Sequence, residues 1–287
     1  MLDQWIIQNA NDLQVILFFT LFGVFSVVEL LAPRRTGEMR RRRRWVTNLS
    51  LTALNIVILS LLPVTFFAAA VWAEARDFGL ISMVGPPLAV SVLFTLLGRA
   101  FLSFLTHWLM HRVGLLWRLH RVHHLDTEMD VSTTVRLHPV EFVVNLAVGV
   151  PLVVFFGMSP WVLLLYEVLD ACVTLFSHAN ISLPPAIERV VRYVIVTPDL
   201  HRVHHSSLQP ETDSNFGAVF PIWDIILGTF QTGTRTPQED MELGLEEVRD
   251  RRTDSLLWLL TSPTRARLDA DASPEFHQTR TRKESSS

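Results

Sequence analysis

Two copies of the pentapeptide His-Arg-Val-His-His, at residues 120–124 and 201–205, constrain this chain more than any other feature. Within each copy the histidines stand three and four apart and so share one face of a helix. His107 and His111 repeat the spacing of four, and His138 and His178 stand between the clusters. Ten of the eleven histidines thus fall between residues 107 and 205, and only His277 lies apart. A single histidine on a helix is ordinarily a core or surface residue, but three separated clusters at ligand spacing exceed that account. Imidazole suits zinc, copper, iron and nickel, and four ligands close a structural zinc. Ten candidates, His107, His111, His120, His123, His124, His138, His178, His201, His204 and His205, suit two metals, fully ligated or with positions open to oxygen or water. Histidine binds metal only when neutral, so affinity is expected to fall below about pH 6.5.

The 287 residues are 49% hydrophobic, with a mean hydropathy of +0.30. That is apolar for a soluble domain and predicts membrane spans. Residues 13–31 are almost wholly apolar and long enough to cross a bilayer. Pro33 ends that stretch, and Arg34, Arg35 and the arginine run ending at Arg44 follow. A short arginine-rich loop beside a span stays cytoplasmic. The apolar stretches flanking it and the net charge of −3 speak against nucleic acid as a partner. Residues 45–72 form the second predicted span, with Trp45 and Trp72 at its ends, where interfaces favour them. A third opens at Pro86 and Pro87 and runs to residue 105, with Arg99 placed to snorkel. Residues 142–156 and 161–176 flank a turn and read as two spans or a re-entrant pair.

The expected fold is all-α: a multi-span helical membrane bundle of about four spans, or two plus hairpins, with a histidine-rich helical cap. Counting spans from the arginine loop puts every histidine cluster on the cytoplasmic side. No linker divides the chain, so residues 1–262 are expected to form one domain with its motif-bearing core at 101–230. Residues 215–230 are expected to pack over the cap, 255–260 to lie on the membrane surface, and 263–287 to be disordered. The start is polar and acidic without a small-residue cleavage site, so no cleavable leader is expected.

Carboxylates beside the clusters can orient the rings. Asp126, Glu128, Asp130, Glu141, Asp199 and Asp224 are candidates, each equally readable as a solvated charge or helix cap. Glu167 and Asp170 stand inside an apolar run, where carboxylates are costly and face the protein interior. With Thr174 and His178 they fall near one helical face, which either leads toward the metals or serves internal hydrogen bonding. Arg121 and Arg202 occupy matching positions of the two repeats. They are candidates for contact with an anionic lipid head group or a donor protein, or are plain surface charges. The single cysteine, Cys172, excludes an internal disulfide, a cysteine-ligated iron–sulfur cluster and a cysteine-rich zinc site.

These residues resemble the fatty acid hydroxylase / sterol desaturase superfamily of integral membrane di-iron enzymes. The resemblance covers residues 101–230. It rests on the histidine clusters in order, DVSTTVRLHPVE from Asp130 to Glu141, SHAN around His178, NFG from Asn215 to Gly217, and WDIILGTF from Trp223 to Phe230. It implies two iron ions held by the histidines, with zinc as a substitute in purified protein, and no catalytic group beyond the ligands. Asn215 joins Glu167, Asp170, Asp199 and Asp224 as a candidate for supporting the ligands. The implied activity is oxygen-dependent attack on a lipid C–H bond, giving an alcohol or an alkene. Sterol, fatty acyl and related lipids all fit. One departure is Thr174, one turn before His178, where members often carry a histidine. Either His138 supplies the missing ligand or one metal keeps an open or water-filled position, with His138 and Pro139 forming a structural turn as the other reading. The chain lacks a dinucleotide glycine fingerprint, so a ferredoxin or cytochrome-type reductase system is the implied electron donor.

The alternative from the same histidines is a membrane zinc metallohydrolase using a metal-bound water. The helical protease signature is missing its glutamate, since Trp108 follows His107. Bis-histidine haem ligation would need histidines on facing helices within the bilayer, whereas these sit in clusters at span ends.

Overall fold

A computed structural model describes residues 2–36 and 41–268, and the helices follow the apolar stretches of the sequence. They are α1 (Leu2–Leu31), α2 (Arg41–Leu61), α3 (Phe66–Glu74), α4 (Leu80–Val84), α5 (Leu88–Arg112), α6 (Gly114–His124), α7 (Pro139–Phe156), α8 (Pro160–His178), α9 (Pro185–Val191), α10 (Pro198–His204), α11 (Gln209–Thr212), α12 (Ile222–Leu227) and α13 (Leu256–Thr261). No strand occurs among the described residues, only an isolated bridge between Ser206 and Leu243. Five segments are long and apolar enough to cross a membrane: Asp12–Leu31, Arg41–Glu74, Leu88–Arg112, Pro139–Phe156 and Pro160–His178. Their large apolar side chains are widely exposed, Leu31 at 81% and Leu88 at 80%, as expected where the solvent is hydrocarbon.

The stretch expected as one helix from Trp45 to Trp72 is broken between α2 and α3. Pro63 lacks the N–H that a continuing helix would use. Thr65 restarts the chain as an N-cap, accepting the Ala68 N–H at 3.1 Å. The α7–α8 hairpin forms as expected. Proline opens each helix, and Gly157, at φ +66°, ends α7. A Cβ on Gly157 would lie 2.9 Å from the Phe78 carbonyl oxygen, so the turn docks backbone to backbone.

The arginine run is not simply a solvated loop. Arg41–Arg44 form the first turn of α2, and Arg44 is 2% exposed. Its guanidinium donates to both oxygens of Asp126, to Asp130 Oδ2 at 2.9 Å and to the Glu128 carbonyl at 2.9 Å. Asp126 and Asp130, candidates for orienting metal ligands, are thus spent on Arg44. The 3-10 helix Val131–Val135 continues from there, with Asp130 as its cap. Arg136 is fully buried and joins the Val122 and Thr253 carbonyls to Asn48.

The segment expected on the membrane surface, now α13, instead buries Leu259 with Leu51, Val122, Leu125, Val248 and Leu268, while Leu257 stays exposed. Leu268 is part of that cluster, and residues 269–287 of the tail expected to be disordered lie outside the described residues, with His277. Residues 215–230 divide: Phe216 lies against the rings of His107, His111 and His204, whereas Trp223 donates to the Leu97 carbonyl in α5.

Candidate metal centre

Four helices bring nine histidines together. The last turns of α5 carry His107 and His111, α6 carries His120, His123 and His124, and α8 ends on His178. Helix α10 carries His201 and His204, and His205 follows it. Pro198 opens α10, and Thr197 caps it by accepting the Leu200 N–H. The nine divide into two groups. His107, His111, His120, His124 and His204 form one, and His123, His178, His201 and His205 the other. Within each group the ligand nitrogens lie within 4.8 Å of one another. The alternation 120/123/124 and 201/204/205 explains the division: each repeat gives histidines to both groups.

The hydrogen bonds on the far side of the rings fix which nitrogen points inward. A carbonyl oxygen can only accept, so Nδ1 must carry the proton where it meets one. His107 donates to the Phe216 carbonyl at 2.8 Å, His178 to that of Thr174 at 2.8 Å, and His204 to that of Ser214 at 2.7 Å. His120 Nδ1 meets Glu141 Oε2 at 2.8 Å, and His111 Nδ1 meets Asp213 Oδ1 at 3.3 Å. Each of these rings presents an unprotonated Nε2 to the centre.

Those inward nitrogens are too close to be left alone. Nε2 of His107 and His120 lie 3.0 Å apart, and Nε2 of His178 lies 3.1 Å from that of His123 and 3.0 Å from that of His201. At His107 and His120, whose Nδ1 atoms carry the protons, the two facing lone pairs repel unless a cation lies between them. A metal bonded to two imidazoles at about 2.1 Å and at right angles would separate their nitrogens by about 3.0 Å. Nε2 of His111, His204 and His205 are buried without a hydrogen-bond partner, the orphaned acceptors a metal would satisfy. The donor set therefore fits two metal ions, five imidazoles at one and four at the other.

Burial keeps the ligands neutral. His123, His124, His201 and His205 are held well below the ordinary imidazole range, by desolvation first and by their histidine neighbours second. Desolvation pulls His204 down to about 3. Below about pH 6.5 an unfolded chain takes up protons that the fold refuses, so the unfolded state binds more of them. The stability of metal-free protein is therefore full above pH 6.5 and falls as pH drops from there toward the folded values. Thermal unfolding of metal-free protein should show Tm dropping from pH 7.5 to 5.5. Because burial already disfavours protonation, the loss of metal affinity on acidification is expected at lower pH than for free imidazole, as read by metal titration between pH 7.5 and 5.5.

The remaining candidates divide sharply. Glu141 does orient a candidate ligand: one oxygen meets His120, and the other accepts the His138 N–H at 3.0 Å. Asp224 acts one step removed, accepting the N–H groups of Phe216 at 2.7 Å and Gly217 at 2.8 Å and so fixing the carbonyl that meets His107. Asn215, at φ +54°, bonds the Leu200 and Gln231 carbonyls and braces the same loop. Asp199 pairs with Arg34, and Glu167 accepts from Gln14 at 2.8 Å, so neither meets a histidine. Asp170 has one buried oxygen without a partner and likewise meets no histidine.

His138 is not brought to either group. It caps α7, its Nδ1 accepting the Val140 N–H at 3.3 Å and its Nε2 lying 3.2 Å from the Leu260 carbonyl. Arg121 and Arg202 are both buried, which removes them from any donor or lipid surface. Arg121 donates to the Ser262 and Arg265 carbonyls, both at 2.6 Å. The Arg202 guanidinium has no hydrogen-bond partner, and burial, with Arg34 and Arg35 nearby, pulls it down to about 10. Asp213 is the group that sequence reasoning missed, because it lies far along the chain from His111 and in no motif. Gly217 carries its own signal within NFG: a Cβ there would stand 2.5 Å from the Phe220 carbonyl oxygen and 2.8 Å from Asp224 Oδ2.

A helical membrane bundle with this histidine centre defines a class, and comparison with known families agrees. The fatty acid hydroxylase family model matches residues 92–229 of the chain. Among its relatives, ornithine lipid hydroxylase OlsE of Rhizobium tropici is 31% identical over 156 residues, 54% of this chain and 46% of that protein. Human alkylglycerol monooxygenase is 27% identical over 191 residues, 63% of this chain and 40% of that protein. Human cholesterol 25-hydroxylase is 27% identical over 185 residues, 62% of this chain and 64% of that protein. The matched stretch spans less than half the length of the first two relatives. No solved structure matches the chain.

Proposed function

We propose that this chain is a membrane-bound, non-haem di-iron oxidoreductase that uses dioxygen and externally supplied electrons to hydroxylate or desaturate a C–H bond of a lipid. The observation that carries it is the pair of histidine groups whose Nε2 atoms face each other at about 3 Å, unprotonated on both sides at His107 and His120, a spacing suited to imidazoles sharing a metal. Iron bound there supplies the oxidising power toward an unactivated C–H bond. The names of the relatives, hydroxylases and monooxygenases acting on lipids, favour hydroxylation.

The nine histidines are the proposed ligands. Around them the polypeptide orients and excludes. Backbone carbonyls of Thr174, Ser214 and Phe216 and the carboxylates of Glu141 and Asp213 set ring direction. Phe216 and Phe104 close one side with apolar surface and keep water from the ligand nitrogens. The domain is taken as residues 1–262, and its histidine end as cytoplasmic, because Arg41–Arg44 and the ends of α5 and α8 gather there. Electrons come from a ferredoxin or cytochrome-type partner, since the chain holds one cysteine and no cluster site.

Expression with iron, followed by lipid mass spectrometry, tests the activity. The expected product gains one oxygen or loses two hydrogens, and His123→Ala abolishes it. An unchanged lipid profile, or hydrolytic products with zinc in the purified protein, would reject the reading.

Glu141→Ala removes the carboxylate behind His120 and the Oε1 cap of α7 together. Loss of such a ring-orienting partner typically costs about 10–100-fold in metal affinity or activity. Glu141→Gln keeps an acceptor toward His120 and should recover most of it, as read by metal titration.

A further inference from the structure

The short helices α9 and α12 lie outside the five spans, yet carry a surface that does not belong in water. Ile187, Val190, Tyr193 and Val194 are exposed by 49–66%, and Ile225, Ile226 and Leu227 by 45–61%. The two groups are joined where Tyr193 packs on Phe230, ring centroids 5.3 Å apart, and where the Val196 N–H donates to the Val219 carbonyl at 3.0 Å.

Beyond Phe216, the inner side of this unit docks on the spanning helices. Val196, Val219, Phe220 and Trp223 cluster with Leu96 and Ala100 of α5 and with Tyr166, Leu169 and Val173 of α8. Trp223 stacks edge-on against Phe101 at 4.9 Å and donates to the Leu97 carbonyl at 3.1 Å. Leu97 lies ten residues before His107 on one continuous helix, which is about 15 Å of rise. That equals about half the thickness of a bilayer's hydrocarbon core. The residues beside it on α5, Leu93 and Phe94, are themselves exposed apolar side chains of a spanning segment. The apolar face of α12 therefore continues the lipid-facing belt of α5. At the α9 end, the exposed Arg189 and the half-exposed Arg192 place positive charge where anionic head groups would lie.

We propose that residues 185–196 and 216–230 form a re-entrant element, with the outer side chains of α9 and α12 immersed in the acyl-chain layer of the leaflet next to the histidine centre. Its partner is the lipid bilayer itself. The proposal rests on the reading of α5 as a membrane span, but not on the metals or the reaction. It puts acyl chains against the outer wall of the Phe216–Trp223 loop, whose inner wall meets His107. A lipid can then approach the centre without leaving the bilayer.

The single cysteine allows a direct test. In a Cys172→Ser background, Ile226→Cys, Val190→Cys and Glu246→Cys are each labelled with bimane. The full chain is reconstituted in phosphatidylcholine nanodiscs, with doxyl-labelled phosphatidylcholine as the hydrocarbon quencher and iodide as the aqueous one. Glu246 is an exposed charge on the cap and serves as the water-facing control. The expected result is several-fold stronger doxyl than iodide quenching at residues 226 and 190, and the reverse at 246. Iodide quenching at 226 equal to that at 246 would overturn the proposal. Protection of 226 from both quenchers would also overturn it, since a protein surface would then cover the face. A parallel label at Leu93→Cys keeps the two readings apart: doxyl quenching at 93 with iodide quenching at 226 leaves α5 as a span and rejects only the re-entrant element.

Discussion

His204→Ala is expected to reduce lipid oxidation to the background of the expression host. The ring lies among His107, His111 and His124, with centroid distances of 4.5, 4.8 and 4.7 Å. Its Nδ1 is fixed on the Ser214 carbonyl, and its Nε2 is buried without a hydrogen-bond partner. Losing a group that merely orients a ligand costs about 10–100-fold, so losing the ligand itself should cost more than about 100-fold. Far-UV circular dichroism should be unchanged, because the helices that carry the histidines are set by their own caps and apolar packing. Metal content should fall at the five-histidine group and persist at the four-histidine one. Retained activity with intact metal content would show that His204 is not a ligand.

Arg44→Ala should have the largest effect on stability. The side chain ties α2 to the segment after α6, and its removal leaves Asp126 and Asp130 as buried carboxylates without their cation. Net burial disfavours the charge on Asp126, yet Arg44 and Arg136 outweigh it and hold the carboxyl below its usual range. Breaking a buried pair from one side typically costs about 3–5 kcal/mol. Arg44→Lys should recover only part of this, since a three-donor point charge lacks the planar fork that meets both oxygens of Asp126 together with Asp130 and the Glu128 carbonyl. Arg42→Ala, two positions away and exposed, should change stability by no more than about 1 kcal/mol. Thermal unfolding in detergent separates the three. Equal Tm values for Arg44→Ala and Arg42→Ala would contradict the account of the arginine run.

What the sequence made legible was what repeats locally. Spacings of three and four put histidines on one face, and the run lengths between prolines bounded α7 and α8. The pairings that hold the centre together were not legible in the same way. Arg44 meets Asp126 across 82 positions, and His107 meets the Phe216 carbonyl across 109. A backbone carbonyl leaves no trace in residue identity, so three of the five ring-orienting acceptors had no side-chain signal to read. Glu141 was visible as a carboxylate near the cluster, but its partner was settled only by the fold. His138 resembled the other histidines in type and differed in context: Pro139 after it marks a helix start, and a cap is what it forms. The arginines of the repeats looked like surface charges because charge usually is, whereas the matching positions face inward on α6 and α10.

The central claim is that nine imidazoles hold two irons. Iron and zinc content per chain, measured by mass spectrometry on protein purified anaerobically in detergent, tests it most directly. The expected result is two irons per chain, falling to about one in both His204→Ala and His201→Ala, because each variant empties a different group. One zinc with no iron, or full iron content in both variants, would contradict it.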